Sequence, residues 1–387
     1  MVKVENQPRC GVCGTKQVKN GKTSAGRTRW RCKNCGASST QRREDITARK
    51  HFTAFYQWAT GKQPAARWGT SRATFQRTTA WCWSVHPTLE PTGEIHRYLM
   101  LDGTYVNGFC VLTAYNGRHI TDWQFCDREK TASWTLLLQR IPAPQVVIVD
   151  GNGPLASVIK QLWPETRVQR CYFHIRQNIH KHLTRHPRTL PGQQLLVLVK
   201  ALTKVSTLTE SVAWEEQFHQ WHAMHQATLK ARTYAKHVTG QRPAHVKQGQ
   251  TWWYTHLRLR RAAHLIDSLL RERHLFTWLE DTHHEDREEL PRTTSPLEGA
   301  VNAPIKEILR AHRGLSADHA MTLLEWHLYQ HTQDPKDPYS FVRPEHWQKA
   351  ASRTIGSVDP DPGPELYGAH FSWEDGNGLR KGWSGRA

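Results

Sequence analysis

Three acidic residues stand in contexts that suit metal-assisted chemistry: Asp102 in "YLMLDGTYV", Asp150 in "VVIVDGNGPL" and Glu298 in "TTSPLEGA". A carboxylate set at the end of an apolar, β-branched run is costly to desolvate without a partner. Two of them brought close together repel unless something positive lies between them. Oxygen-only donors suit Mg²⁺ or Mn²⁺, and a pair of such ions is a standard device for in-line phosphoryl transfer. Each acid also has a plainer structural reading. A strand-end aspartate such as Asp150 often caps a helix or forms a turn. Ser295-x-x-Glu298, with Pro296 at the first helical position, has the spacing of a capping box that would occupy Glu298 without any metal. Asp102 has the weaker structural explanation, because it follows "YLML" inside a strand.

Those residues need elements that gather them. "YLMLDGTYV", "FCVLTAYN" and "ITDWQFCD" are three β-rich runs separated by Gly-containing or polar turns, which predicts an antiparallel meander. "TASWTLLLQRI" predicts a helix, "VVIV" a strand buried on both faces, "PLASVIKQLWP" a second helix and "RVQRCYFH" a fifth strand. The order βββαβαβα is that of a ribonuclease-H-like α/β fold. Pairing the first strand with the fourth would bring Asp102 and Asp150 to one point at the sheet edge where ligands usually bind. The third ligand is expected on a helix packed across those strands. Leu297, Val301, Ile305 and Ile308 give that helix an apolar face and would bury Glu298 near the core edge, while Pro304 removes one backbone bond.

The chain of 387 residues carries a net charge of +19, and the excess is uneven. Residues 1–80 hold seventeen Lys and Arg against Glu5, Glu44 and Asp45, a balance of +14. An arm that neutralises phosphates has this character. A membrane surface is disfavoured because no basic amphipathic helix accompanies the charge. Within the arm, Cys10-Gly-Val-Cys13 and Cys32-Lys-Asn-Cys35 are separated by eighteen residues, the spacing of a zinc ribbon with one closed, structural Zn²⁺. Arg27, Arg29 and Arg31 lie between the pairs, facing a phosphate backbone on this reading. In "KQPAARWGTSRATFQRTTAWCW", Ala65, Gly69 and Phe75 fall at helix-turn-helix spacing, with Ser71 as N-cap of the second helix. Arg72, Thr74, Gln76 and Arg77 would then be offered to the major groove of double-stranded DNA. The start of the sequence lacks an apolar signal core and no eighteen-residue apolar run occurs, which suggests a cytoplasmic, nucleoid-associated protein.

Taken together, "LDGTY" with Asp102, "VIVDGNGPL" with Asp150, "CYFH" with Cys171 and His174, and "SPLEG" with Glu298 resemble the DDE transposases of bacterial insertion sequences, in particular the Mutator-like group. The resemblance implies that Asp102, Asp150 and Glu298 bind two catalytic Mg²⁺ (or Mn²⁺) ions, and that a long helical insertion separates the second Asp from the Glu. The 148 residues from Asp150 to Glu298 leave room for it. Cys171 and His174 would be a signature of the catalytic domain. One departure concerns the seventh position after Glu298, where many relatives carry a basic residue. Here it is Ile305, and the nearest bases are Lys306 and Arg310.

The expected organisation is a zinc ribbon (1–45), a helix-turn-helix domain (46–92), the first part of a ribonuclease-H-like catalytic core (93–180), an all-α insertion (181–291), the second part of the core with the Glu helix (292–332) and a C-terminal tail of little regular structure (333–387). The insertion has an aromatic and basic run in which Trp252, Trp253 and Arg258 are the candidates for DNA contact. The implied function is a transposase that binds terminal inverted repeats and target DNA and performs metal-dependent strand cleavage and transfer, as a homodimer in a synaptic complex. The alternatives are a DNA-binding regulator or inactive descendant, and a structure-specific nuclease of the same fold. No nucleophile motif of a Tyr or Ser recombinase is present.

Overall fold

The computed structural model describes residues 8–347 apart from residue 11 and residues 41–43, 63–70, 239 and 280–289. The described residues form two compact units, one of residues up to His86 together with those from Asp337 onward, the other Pro87–Lys336.

In the first unit β1 (Gln17–Lys22), β2 (Thr28–Cys32) and β3 (Ser38–Ser39) make an antiparallel sheet in that order. Helix α1 (Glu44–Thr60) buries Ala48, Phe52, Phe55 and Ala59, a spacing that lines one helical face. Helix α2 (Arg72–Thr79) begins at Ser71, whose hydroxyl accepts the Thr74 N–H at 3.2 Å, and its buried Phe75 meets the Trp58 ring at 5.6 Å. Ala65 and Gly69, which would form the turn between two DNA-reading helices, lie outside the described residues. The stretch expected to be an irregular tail contains a 3-10 turn at Pro338–Phe341 that packs on α1: Tyr339 meets Phe52 edge-on at 6.1 Å, and Arg49 pairs with Asp337 at 3.2 Å. That part of the tail is thus ordered by aromatic contact, and residues 348–387 lie outside the described residues.

The second unit is built on a five-stranded sheet. Its elements are β4 (Tyr98–Val106), β5 (Phe109–Tyr115), β6 (Ile120–Cys126), α3 (Thr131–Leu138), β7 (Val146–Val149), α4 (Gly153–Leu162), β8 (Arg167–Arg170) and α5 (Tyr172–Leu183). The strand order is β6-β5-β4-β7-β8, with the first three antiparallel and β7 and β8 parallel to β4. One face packs on α3 and α4 through Leu99, Leu101, Leu112, Val147, Val149, Trp134 and Leu155. Asp122 on β6 is gripped by Arg140 just beyond α3, at 2.7 and 3.0 Å. The fifth strand ends at Arg170 rather than running through "CYFH", because Cys171 becomes the N-cap of α5.

The chain then forms α6 (Leu190–Ala201), α7 (Leu208–Met224), α8 (Gln226–Lys230), β9 (Arg232–Tyr234), β10 (Trp252–Tyr254) and α9 (Leu257–Arg271). These helices share a core with α5 that includes Trp214, Phe218, Trp221 and Ile266. The insertion is therefore not all-α: "RTY" and "WWY" pair as an antiparallel ribbon, with Trp253 opposite Thr233. Aromatic and β-branched side chains favour that extended pairing, and helical apolar spacing resumes only at Leu257. After it come α10 (Ser295–Leu297), a π turn over Glu298–Asn302, α11 (Ala303–Ala311) and α12 (Ala317–Tyr329). Helix α12 packs on β6, and His331 beyond it accepts the Ile120 N–H at 3.0 Å. No helix among the described residues is long and apolar enough to cross a membrane.

Candidate active site and metal centres

The sheet register carries out the first gathering step. Leu101 on β4 is paired with Val149 on β7, so the next residues along the two parallel strands, Asp102 and Asp150, stand side by side at the end of β7. Neighbouring strands are about 4.8 Å apart. Burial, and then the charge of Asp150, push the Asp102 carboxyl up to about 6. The turn after Asp150 is specific. Gly151 has φ +98°, a conformation that disfavours a side chain, and a Cβ there would fall 1.6 Å from Nη2 of Arg170. That guanidinium donates to the Asp150 carbonyl at 2.7 Å, and the Asn152 N–H donates to Asp150 Oδ1 at 2.8 Å. Asn152 is also the N-cap of α4, through Leu155 N–H. Asp150 itself is therefore not the helix cap.

Glu298 returns to this point from the far side of the insertion. The chain is stapled to the start of α5 just before Glu298: Tyr172 N–H donates to Arg292 O at 3.0 Å, and both the N–H and hydroxyl of Thr294 donate to Cys171 Sγ, at 3.3 and 3.5 Å. Thr294, not Ser295, is consequently the N-cap, and the Glu298 side chain does not close a capping box. It reaches instead to Nδ2 of Asn302 (2.8 Å) and Nζ of Lys306 (3.1 Å). The same Nδ2 donates to Asp102 Oδ2 at 2.9 Å, so a single amide joins the first and third acids. The expectation of a Glu298 buried at the core edge is corrected: its side chain is 54% exposed, because the π turn rotates it toward solvent while Leu297 and Val301 stay buried. Partial burial opposes ionisation of Glu298, but Asn302 and Lys306 outweigh it and hold its carboxyl below the ordinary range.

His174, in the first turn of α5, lies within electrostatic reach of all three acids. The neighbouring Cys171 thiol raises its pKa, with burial opposing and the charges of Asp150 and Asp102 adding to the rise. Burial works against Cys171 ionisation, yet His174 and Thr294 lower its pKa. Sequence reasoning placed Cys-x-x-His on a strand edge; the structure puts it at a helix start that joins β8 to the Glu298 segment.

Sequence reasoning gave no role in the site to four residues. Asn302 and Lys306 sit one and two turns beyond Glu298, and Lys306 was noted only as a base near the seventh position. Asn152 lies in the glycine turn. Glu129, between β6 and α3, lies beside the two aspartates. Burial, then Asp150 and Asp102, push its carboxyl up to about 7.

The donor set suits a hard divalent cation: every ligand candidate is oxygen, Asp102 and Asp150 are half-buried, and the site's negative charge exceeds what Lys306 and His174 offset. The buried Oδ1 of Asn302 has no hydrogen-bond partner, leaving an acceptor available in its wall. The carboxylate oxygens do not draw together as the thiols below do, since the Asn302 amide stands between Asp102 and Glu298.

In the first unit, Cys10, Cys13, Cys32 and Cys35 have sulfur atoms all within 4.8 Å of one another, the one such group of three or more ligating residues among those described. The distances Cys10–Cys35 and Cys13–Cys32 are 3.5 and 3.4 Å, close to the roughly 3.8 Å edge of a tetrahedron with Zn–S bonds of about 2.3 Å. Each knuckle closes on itself, Cys10 N–H to Thr15 O and Cys32 N–H to Ala37 O, both at 2.8 Å. The cluster could hold a zinc ion.

The remaining sequence candidates fall into two groups. Arg27, Arg29, Arg31, Arg72, Gln76, Arg77 and Arg258 are exposed, and Thr74 is half-buried. Trp253 is 6% exposed in the core beneath the ribbon, which makes it a packing residue rather than a base-stacking one. Trp252 is half-buried, with the Arg232 guanidinium 4.1 Å over its ring.

Residues 98–238 match the family described as "Transposase, Mutator family". A stretch of 120 residues is 28% identical to the transposase for insertion sequence element IS905 of Lactococcus lactis subsp. lactis (strain IL1403), covering 27% of this chain and 31% of that protein. The match thus spans less than a third of the relative's length. The resemblance drawn from the acidic motifs is borne out, and the chain is related to bacterial insertion-sequence transposases.

Proposed function

We propose that this relative of the Mutator-family transposases is itself the transposase of an insertion sequence, with a ribonuclease-H-like core whose Asp102, Asp150 and Glu298 form a DDE centre for DNA strand cleavage and strand transfer. The observation that carries the reading is the convergence of the three acids. Strand register sets Asp102 beside Asp150, and Asn302 ties Glu298 to Asp102 across a separation of 196 residues in sequence.

Asp102, Asp150 and Glu298 would hold the divalent cation, two Mg²⁺ in the full reading, which when bound lowers the pKa of an attacking water and stabilises the leaving oxygen. Asn302 fixes the rotamers of two acids at once, and the Arg170–Asp150 bond fixes the backbone that presents the third. Lys306 is placed to exchange Glu298 for a DNA phosphate when a cation takes the carboxylate. The exposure of Glu298 leaves the site open to a duplex. In the first unit the zinc ribbon and a helix-turn-helix at α2 would bind the terminal inverted repeats, with Arg27, Arg29 and Arg31 on phosphates and Arg72, Gln76 and Arg77 toward base edges. Arg258 and Trp252 of the insertion are proposed contacts to DNA near the cut. Joining two ends requires two active centres, so a homodimer in a synaptic complex is expected, acting in the cytoplasm at the nucleoid.

Incubation with Mg²⁺ and a labelled fragment carrying the flanking ends of the element tests this. Wild type should nick at the element boundary, and Asp150→Asn should bind without cutting. Equal cutting by both proteins would remove Asp150 from the centre. Binding without cutting by both, while an active relative cuts its own ends in parallel, would favour a regulator.

A further inference from the structure

Glu129 belongs to none of the motifs that the sequence suggested, yet three features of the structure direct its side chain to the acidic centre. The first is a space. Gly103, directly after Asp102, has no side chain, and a Cβ there would lie 2.5 Å from Glu129 Cδ and 2.7 Å from Oε1. The second is a clamp: Asn152 Nδ2 donates to Glu129 Oε2 at 2.6 Å while the Asn152 N–H donates to Asp150 Oδ1. The third is an anchor, since the Glu129 N–H donates to the Tyr105 hydroxyl at 3.2 Å and so holds the turn against β4.

The arrangement mirrors the other side of the site. Asn152 ties Glu129 to Asp150 as Asn302 ties Glu298 to Asp102. Two asparagines thus orient four carboxylates in two pairs. Lys306 bonds one of the four, and the Arg170 guanidinium is turned to the Asp150 carbonyl rather than to a carboxylate. Asn302 is 1% exposed, and its Oδ1 is left without a partner in the same wall. A buried acceptor with no donor, beside four oriented acids, calls for a cation with its bound water rather than for another anion.

We propose that Glu129 is a fourth carboxylate ligand of the divalent-cation centre formed by Asp102, Asp150 and Glu298. This rests on the function proposed above. Glu129 supplies one more oxygen on the Asp150 side, and Gly103 is required at its position because any side chain there displaces Glu129.

The test is Mn²⁺ binding to the full-length, zinc-loaded protein, read by electron paramagnetic resonance of the free ion, so that no DNA substrate is needed. Glu129→Gln should weaken binding about 10- to 100-fold, the range typical for groups that orient or complete a metal site. Gly103→Ala removes no carboxylate but displaces the Glu129 side chain, so it should weaken binding similarly, and the double variant should be little worse than either alone. Asp150→Asn is the control for the parent reading. If Asp150→Asn weakens binding while Glu129→Gln and Gly103→Ala bind as wild type, the fourth ligand is refuted and the three-acid centre stands. If Asp150→Asn also binds as wild type, the centre itself is refuted. Should Glu129→Gln not fold, Glu129→Asp keeps the charge and withdraws it by one methylene; wild-type affinity in that variant together with Gly103→Ala overturns the proposal.

Discussion

Asp102→Asn removes one charge from the centre while leaving an oxygen for the Asn302 amide to bond. In the cation-free protein the Asp102 carboxyl is raised from 3.8 to about 6 by burial and by Asp150. Two units at about 1.4 kcal/mol each mean that ionised Asp102 costs the folded state about 3 kcal/mol. The sign follows from proton binding. The folded protein holds this proton more tightly than the unfolded chain does, so the cost is full above pH 6 and shrinks as pH falls. Below 3.8 it is gone. In buffer without added divalent cation, Asp102→Asn should therefore raise the unfolding midpoint of the Pro87–Lys336 unit by roughly 6–12 °C at pH 7.5. At pH 5 the gain should be about half. Saturating Mg²⁺ should narrow the gap, because the ion stabilises wild type and has lost a ligand in the variant. Differential scanning calorimetry at the two pH values, with and without Mg²⁺, reads all of these. A variant no more stable than wild type at pH 7.5, or a gain that does not change with pH, would refute the claim that the site stores electrostatic strain.

Gly151→Ala should destabilise by about 2 kcal/mol or more, through a strained positive φ and displacement of Arg170; urea midpoints would measure it, and a loss under 0.5 kcal/mol would count against the described turn. Asp122→Ala leaves the Arg140 guanidinium without its bidentate partner and should cost about 2 kcal/mol, with Asp122→Asn recovering part of it in the same measurement. Purified protein should contain one zinc by elemental analysis; chelation should expose four additional reactive thiols to a colorimetric reagent and abolish binding to the terminal repeats, while Cys13→Ser alone should lower the zinc content. Cys171→Ala should cost about 1 kcal/mol of stability and also weaken Mn²⁺ binding, because the Thr294 bonds that seat the Glu298 segment are lost; unchanged binding would limit Cys171 to packing.

The central sheet was legible because its strands are continuous apolar runs broken by glycine turns, a pattern that burial on both faces imposes. The pairing of Asp102 with Asp150 followed from strand order alone. What escaped the sequence was whatever depends on angle or on long-range contact. The ribbon of Arg232–Tyr234 with Trp252–Tyr254 is two three-residue strands joined across a long connection, too short to show alternation, so its aromatics read as helix. Trp253 was misplaced with it. The exposure of Glu298 was hidden because a regular helix was assumed through residues 295–311. Glu129 left no trace: an acid before a helix is ordinary, and the space that admits it is made by a glycine 26 positions earlier. Asn302, by contrast, was visible as a polar residue four positions after Glu298 and could have been weighed.

The π turn at Glu298–Asn302 changes what the spacing of a motif means. Distance along a sequence stands in for rotation about a helix axis only while every turn holds 3.6 residues. A single i→i+5 turn, seen in the Ala303 N–H to Glu298 O bond, takes up one residue more than an α turn. Eight positions then cover the rotation that seven cover in a plain helix. The seventh residue after Glu298 is Ile305, which is fully buried, and the eighth is Lys306, whose ammonium sits 3.1 Å from the Glu298 carboxylate. A base that looks displaced by one letter is in phase with the acid. Deleting one residue within Glu298–Asn302 would put Lys306 at the seventh position and, if the turn relaxed to α geometry, leave its phase unchanged. Deleting one in a helix without the bulge would turn it inward. In this segment the pattern is written in degrees, and a one-residue insertion at the acid is silent in space.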